Sequence, residues 1–240
     1  GLHEFQQRFE AVEDHRVEQD VTEVLRFKLP RSSEIADSDL VPNSRYYLAL
    51  LDLLDQEQLD AVALRCWPEL PTLLGHWPYL ALMRCAEAGH SISLEGDVDG
   101  AILGLLGTWL ELGPGYVSDW LAHDEQSIAL WHPGHAPRAL CRSESIRLDR
   151  HFNNQKPLVV NATLRPDETL TVARLWRCDQ RYLLTAFSGQ TEVPDQTLLG
   201  ACGKIRVQPP SVPERFERLC HAGMPHHVTL FQGDQVTMLQ

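Results

Sequence analysis

The chain has 240 residues, of which 43% are hydrophobic, a composition typical of a folded globular protein with one large domain or two modest ones. Its net charge of -12 would repel a phosphate backbone, so we do not expect nucleic acid as a partner. The longest apolar stretch, residues 101–112, is shorter than the roughly 20 residues of a membrane span, so we predict no membrane segment.

The first half alternates helical patterns with short apolar strands. Apolar spacing predicts helices at residues 44–54, 78–89 and 99–112, and strands at residues 59–65 and 90–94. Gly89 is the residue expected to end the second of these helices. Alternating strands and helices favour parallel strands covered by helices. We therefore predict that residues 1–112 form part of an open parallel α/β sheet domain.

The second half reads differently, with short apolar or alternating runs separated by turn signals. The predicted strands are residues 127–131, 145–148, 157–164, 169–176, 182–188, 204–207 and 227–231. A short helix is predicted at residues 214–220. Many short strands with few helices indicate an antiparallel barrel or sandwich. The predicted fold class is thus α/β plus β, with an antiparallel β-barrel-like C-terminal domain at residues 113–240.

The six cysteines are scattered and form no Cys-x-x-Cys pair. This argues against a structural zinc site, and a chain of this size does not need disulfide bonds to fold. The residues before the first helix also lack the basic-then-apolar pattern of a secretory signal. We expect reduced, mostly buried thiols in a cytoplasmic protein.

Two acidic segments are candidates for chemistry. Glu95-Gly96-Asp97 lies where a predicted strand ends and a helix begins, the edge at which ligands bind in open α/β sheets. The competing interpretation is a helix cap, with Asp97 or Asp99 accepting from backbone N–H groups. Asp119 lies in an apolar context, where an acid needs a cation or a hydrogen-bond donor nearby.

Two histidine segments are further candidates. His132 and His135 follow a predicted strand, and in isolation surface positions in a turn are the better interpretation. His226 and His227 stand immediately before the strand that begins at Val228. Neighbouring residues on a strand point to opposite faces, so we expect at most one of this pair to face a given site.

Together these segments supply two carboxylates and two imidazoles from both halves of the chain. Such ligands suit a divalent first-row metal, Mn²⁺ first, with Co²⁺ or Zn²⁺ as competitors. Trp67 and Trp120 lie close in sequence to the acids and are candidates for stacking on a sugar ring.

The order of these motifs resembles the L-fucose isomerase and L-arabinose isomerase superfamily over roughly residues 45–235. Glu95 matches the metal-binding Glu of that family, Asp119 its second acidic ligand, and His227 in Gly-Met-Pro-His-His its third ligand. His132 is similar to a further histidine of the arabinose branch. The segment from Cys66 to Glu69 resembles a family segment near the site.

The resemblance implies a metal-dependent aldose–ketose isomerase acting on a pentose or 6-deoxyhexose through a cis-enediol. It implies that Glu95 and Asp119 bind the metal and transfer the proton, and that His227 and His132 are further ligands. Substrate contacts are expected from a set comprising Trp67, Glu69, Trp120 and His226. Members form homo-oligomers and begin with a further α/β domain, so we expect this chain to represent their C-terminal catalytic portion. Two alternatives stay open: another metal-dependent enzyme, a hydrolase or lyase, with the same ligands, or a non-catalytic sugar-binding relative.

Overall fold

A computed structural model describes residues 1–239; Gln240, the last residue of the predicted second domain, lies outside it. The helices are α1 (Leu2–Ala11), α2 (Asp14–Arg26), α3 (Leu40–Gln56), α4 (Glu69–Leu74), α5 (Tyr79–Glu87), α6 (Val98–Trp109), α7 (Val212–His221) and α8 (Val236–Leu239). The strands are β1 (Ala61–Ala63), β2 (Ser91–Ser93), β3 (Tyr116–His123), β4 (Ser127–His132), β5 (Arg147–Arg150), β6 (Pro157–Thr163), β7 (Thr169–Cys178), β8 (Arg181–Glu192), β9 (Ala201–Val207) and β10 (His227–Gln232). In the described residues, no helix combines the length and apolar character needed to cross a membrane.

The first half contains a small parallel pair of strands among helices. β1 pairs with β2 in parallel, and α6 packs against both strands. Its core is formed mainly by α1, α3 and α5, with Tyr46 and Trp77 fully buried. The loop after α5 ends at Gly89, whose φ of 84° is accessible to glycine without strain. The predicted helices and strands of this half are therefore present, with the strands shorter than expected.

The second half closes six strands into a ring of antiparallel pairings. The order is β4–β3–β10–β7–β8–β9, and β9 returns to pair with β4. β6 adds to β9 in parallel, and β5 pairs with β6. Inside lies a continuous apolar cluster that includes Tyr116, Trp120 and Leu230. The division into domains at residue 112 stays a prediction, because the two halves also pack on each other through α6, β7 and β10.

The long hairpin of β7 and β8 shows how the sequence sets the register. Cys178 pairs with Arg181, and the two residues between them have φ values of 50° and 61°. Positive φ at both central residues is the geometry of a type I′ turn, whose twist matches that of paired strands. One turn thereby aligns ten residue pairs.

The sequence patterns do not predict strand β3, which is central to the fold. It pairs with β4 on one side and with β10 on the other. Asp119 is the direct neighbour of His227 across one pairing and of Trp131 across the other. Directly opposed residues share a face of the sheet, so β3 brings the acidic and histidine segments together.

Candidate active site

The Glu95 carboxylate is presented by a tight turn between β2 and α6. Glu95 and Gly96 have φ values of 54° and 73°, and the Gly96 N–H donates to the carbonyl of Leu64 at 3.1 Å. A left-handed conformation is unfavourable for a glutamate, and such strain is often found at functional sites. The carboxylate is about one third exposed. The thiol of Cys66 lies against this turn, and burial raises its pKa to about 12, so that it stays neutral.

The imidazole of His227 lies at the centre of the candidate site. Its Nε2 atom is 3.7 Å from Oε2 of Glu95 and 3.5 Å from Oδ1 of Asp119. Its Nδ1 atom lies 3.1 Å from Oδ2 of Asp97. The side chain is only 7% exposed, so these neighbours replace water around the ring. The structure thus brings Glu95, Asp119 and His227 together, as the resemblance implied.

Asp119 is a partly buried acid, and no hydrogen-bond donor from the described residues reaches its Oδ1 atom. Burial raises its pKa, although the neighbouring His227 and His226 oppose this shift. Its Oδ1 atom and Nε2 of His227 are both buried and have no hydrogen-bond partner among the described residues. Two facing, unpartnered polar atoms are costly unless a ligand occupies the space between them.

His132 and His135 are buried, so the interpretation as surface residues is wrong. The Nδ1 atoms of both rings lie 3.2 Å from the carbonyl oxygen of Pro133, which only accepts hydrogen bonds. Nε2 of His132 is therefore the unprotonated nitrogen, and it lies 3.9 Å from Oε1 of Glu95. Burial and the nearby His135 hold the pKa of His132 well below its usual value, which keeps the ring neutral.

The expectation that only one of His226 and His227 faces the site is wrong. Nε2 of His226 lies 3.4 Å from Oδ1 of Asp119, and its ring centroid is 4.4 Å from that of His227. The reason is that β10 begins at His227, so His226 belongs to the preceding turn, where strand alternation does not apply.

The assignment of Trp120 to substrate stacking requires correction. Its indole is buried in the apolar cluster inside the barrel, with its ring 5.3 Å from that of Phe216. It follows Asp119 on β3, and successive strand residues point to opposite faces. Since Asp119 faces His227, Trp120 faces the core.

Trp67 lies just before α4, and Glu69 is the first residue of that helix. Trp67 is 38% exposed and stacks on Trp77 at 5.3 Å, while Glu69 pairs with Arg65 at 2.6 Å. Their roles in substrate binding stay predictions.

Asp97, from the candidate acidic segment, and Arg174, which the sequence analysis does not single out, lie beside the site. Asp97 caps α6 as the alternative interpretation predicted, accepting from the Gly100 N–H at 2.8 Å. It also forms a bidentate pair with Arg174 of β7. Burial opposes ionisation of Asp97, but the hydrogen bonds from His227 and Arg174 outweigh it and hold its pKa below the usual range. The available signal is Arg174 itself, a charged residue with apolar neighbours on both sides in a strand.

An apolar groove borders the site on the barrel side. It has a volume of about 380 Å³ and is lined by Leu121, Trp131, Phe152, Leu198 and Leu199. Trp131 is fixed by a hydrogen bond from its Nε1 atom to the carbonyl of Leu199 at 2.8 Å. Because Trp131 is the cross-strand neighbour of Asp119, the groove lies beside Asp119.

These carboxylates and imidazoles converge from both halves of the chain beside a groove, and they define a candidate enzyme active site. The sequence is similar to sulfoquinovose isomerases. It is 28% identical over 185 residues to that of Priestia aryabhattai, covering 75% of this chain and 41% of the relative. The identity is 29% over 197 residues with the enzyme of Clostridium sp. (strain MSTE9), covering 79% and 43%, and 25% over 195 residues with that of Alkalicoccus urumqiensis, covering 80% and 44%.

The predicted resemblance to sugar isomerases is confirmed at this level. No family model matches the sequence, and the relatives' names do not specify the L-fucose and L-arabinose isomerase superfamily. The chain spans less than half the length of the curated relatives it matches.

Proposed function

We propose that this chain carries the metal-binding catalytic centre of an aldose–ketose sugar isomerase. The observation that carries the proposal is the convergence of Glu95, Asp119 and His227, with buried atoms of the last two lacking hydrogen-bond partners within residues 1–239. The similarity to sulfoquinovose isomerases supports the reaction class.

The residues fit a divalent cation by their chemistry. In the part of the chain that the structure describes, two sets of three side chains offer ligand atoms within 4.8 Å of one another. These are Glu95 with His226 and His227, and Asp119 with His132 and His227. Mixed oxygen and imidazole ligands suit Mn²⁺, and also Co²⁺ or Zn²⁺. His227 belongs to both sets, and in this proposal it would hold the ion together with Glu95 from one set and Asp119 from the other, with His132 as a further ligand. When bound, such a cation polarises the sugar carbonyl and lowers the pKa of the adjacent hydroxyl.

The carboxylates supply the proton transfer. One carboxylate removes the proton from C2 of the aldose, the hydroxyl proton on O2 passes to O1, and the proton held by the carboxylate returns to C1 of the cis-enediol. The reaction is balanced, since the ketose contains every atom of the aldose. Glu95 is the preferred candidate for this exchange, because it is the more exposed of the two acids and a substrate can reach it more easily.

The groove beside Asp119 supports a sugar as the class of substrate. Sugar rings present an apolar face of C–H groups, and the indole of Trp131 offers a fixed apolar surface for it. The relatives name sulfoquinovose, a hexose with a sulfonate at C6, as the first substrate to test. Pentoses and 6-deoxyhexoses, implied by the motif resemblance, form the second group. A homo-oligomer also stays a prediction of that resemblance.

The test uses the variant Glu95→Gln and compares it with the control variant Glu144→Gln. Glu144 is an exposed glutamate in the connection between β4 and β5. We expect Glu95→Gln to lower bound Mn²⁺ and to reduce ketose formation by at least about 100-fold, while Glu144→Gln matches the parent protein. Metal content is measured by elemental analysis and the products by NMR in D₂O, where solvent deuterium at C1 of the ketose distinguishes proton transfer from a hydride shift. Undiminished turnover by Glu95→Gln would reject the assignment, and smaller products would indicate a hydrolase or lyase.

A further inference from the structure

His227 presents its two nitrogen atoms to different partners. Nε2 faces Glu95 and Asp119, whereas Nδ1 lies 3.1 Å from Oδ2 of Asp97. A carboxylate only accepts hydrogen bonds, so the proton of a neutral His227 must be on Nδ1. The lone pair of Nε2 then points toward Glu95 and Asp119, where a cation would need it.

Asp97 is itself held in place from two sides. Its Oδ1 atom accepts from the Gly100 N–H at 2.8 Å and from Nη2 of Arg174 at 2.9 Å, and its Oδ2 atom accepts from Nη1 of Arg174. Asp97 is 9% exposed and Arg174 is 5% exposed. A buried arginine in the middle of a barrel strand is costly, and its bidentate partner compensates for that cost.

We infer that Asp97, fixed by Arg174, is the positioning residue that sets the tautomer and orientation of His227 for metal binding. The inference rests on the metal site of the proposed function. In metal centres, an imidazole ligand usually donates its second N–H to a carboxylate or carbonyl, which orients the ring and strengthens it as a ligand. The arrangement of Arg174, Asp97 and His227 has this form and links α6 to β7 and β10.

A purely structural role for Asp97 would be the helix cap, and one substitution separates the two roles. Asparagine caps helices about as well as aspartate, so Asp97→Asn keeps the bond from Gly100. Keeping this cap places the amide oxygen at the Oδ1 position, where it accepts from Gly100 and from Nη2 of Arg174, and turns the NH₂ group toward Nη1 of Arg174, from which Oδ2 accepts in the parent protein. The NH₂ group then faces Nδ1 of His227 and donates to it. Nδ1 must accept, the proton moves to Nε2, and the nitrogen toward the metal site is blocked.

The test measures the tautomer and the metal affinity separately. In metal-free protein labelled with ¹⁵N-histidine, we expect an Nδ1–H tautomer for His227, assigned by comparison with His227→Gln, and an Nε2–H tautomer in Asp97→Asn. In a calorimetric titration with Mn²⁺, we expect affinity to fall about 10- to 100-fold in Asp97→Asn. An Nε2–H tautomer in the parent protein would overturn the inference without any variant, and so would unchanged Mn²⁺ affinity in Asp97→Asn.

Asp20→Asn is the matched control. Asp20 forms the same kind of bidentate pair with Arg84, at 2.6 and 2.7 Å, and both side chains are similarly buried, but the pair joins α2 to α5. We expect Asp20→Asn to destabilise the fold while Mn²⁺ affinity and the His227 tautomer stay unchanged. A loss of affinity in this control equal to that of Asp97→Asn would show a general effect of destabilisation and overturn the inference. Neither readout needs turnover, so a failure of the isomerase assay would reject the proposed function alone.

Discussion

At the scale of single residues, His151 shows how burial alone can change a side chain's behaviour. Its ring stacks between Trp77 at 4.4 Å and Phe152 at 4.6 Å, and its Nδ1 atom accepts from the Asn153 N–H at 3.2 Å. Protonation of His151 would put a proton on Nδ1, directly opposite the N–H of Asn153. Burial lowers the pKa of His151 from 6.5 to about 4.

This shift predicts a loss of stability in mild acid. Below pH 6.5 the unfolded chain takes up a proton that the native His151 does not bind until about pH 4, so the free energy of unfolding falls as pH falls through this window. His151→Phe keeps the aromatic stack and removes the titration. When the pH is lowered from 7 to 4.5, we expect the free energy of unfolding of the variant to rise by about 2 kcal/mol relative to that of the parent. Urea unfolding at both pH values measures this difference. His221→Phe, at an exposed position of α7, should show no such change; a constant difference for His151→Phe would contradict the prediction.

At the scale of elements, Gly134 lets the connection after β4 pass directly over β6. A Cβ atom there would lie 1.7 Å from the carbonyl oxygen of Val160, whose own N–H donates to the Gly134 carbonyl at 3.2 Å. Both contacts are with backbone atoms, and Val160 lies within β6, so this strand cannot move aside without disturbing its pairing. This contact holds His132 and His135 in the interior.

Gly134→Ala should therefore lower the free energy of unfolding by about 3 kcal/mol, as overpacking against rigid backbone does. Gly75→Ala is the control, since its Cβ meets open space and only its positive φ of 79° opposes alanine, at a cost of about 1 kcal/mol. Urea unfolding followed by circular dichroism measures both. Equal losses for the two variants would show that crowding at Val160 is not the cause.

Local patterns predicted elements well and their partners poorly. The helix at residues 44–54 and the long runs of β7 and β8 follow from spacing and turn chemistry, which act within a few residues. The sequence does not predict β3 because Ser118 and Asp119 interrupt its apolar pattern, and Asp119 is one of the candidate site residues. Opposing residues such as Asp119 and His227 could be paired only through the motif resemblance, since spacing carries no information on register between distant strands. Neither the local patterns nor the motif resemblance predicts the pairing of Arg174 with Asp97, which lie 77 residues apart.

At the scale of the whole molecule, the candidate ligands come from both halves. Glu95 precedes α6 in the first half, whereas Asp119 and His227 belong to barrel strands. Their convergence collects carboxylates around one small volume in a chain of net charge -12. A cation there would relieve their mutual repulsion and join the two halves through its ligands.

Metal binding should therefore stabilise the entire chain. A ligand that binds only the native state raises the free energy of unfolding by RT ln(1 + [L]/Kd), about 2.7 kcal/mol at a concentration 100 times Kd. We expect Mn²⁺ to raise the unfolding temperature of the parent protein in calorimetry, with one transition, and a chelator to reverse the rise. Glu95→Gln should lose most of the effect, because one ligand from the first half is removed, while Glu144→Gln should retain it. If two transitions were resolved and Mn²⁺ moved only one of them, the ligands would belong to one half of the chain, and the ion could not be shared between the sheet edge and the barrel.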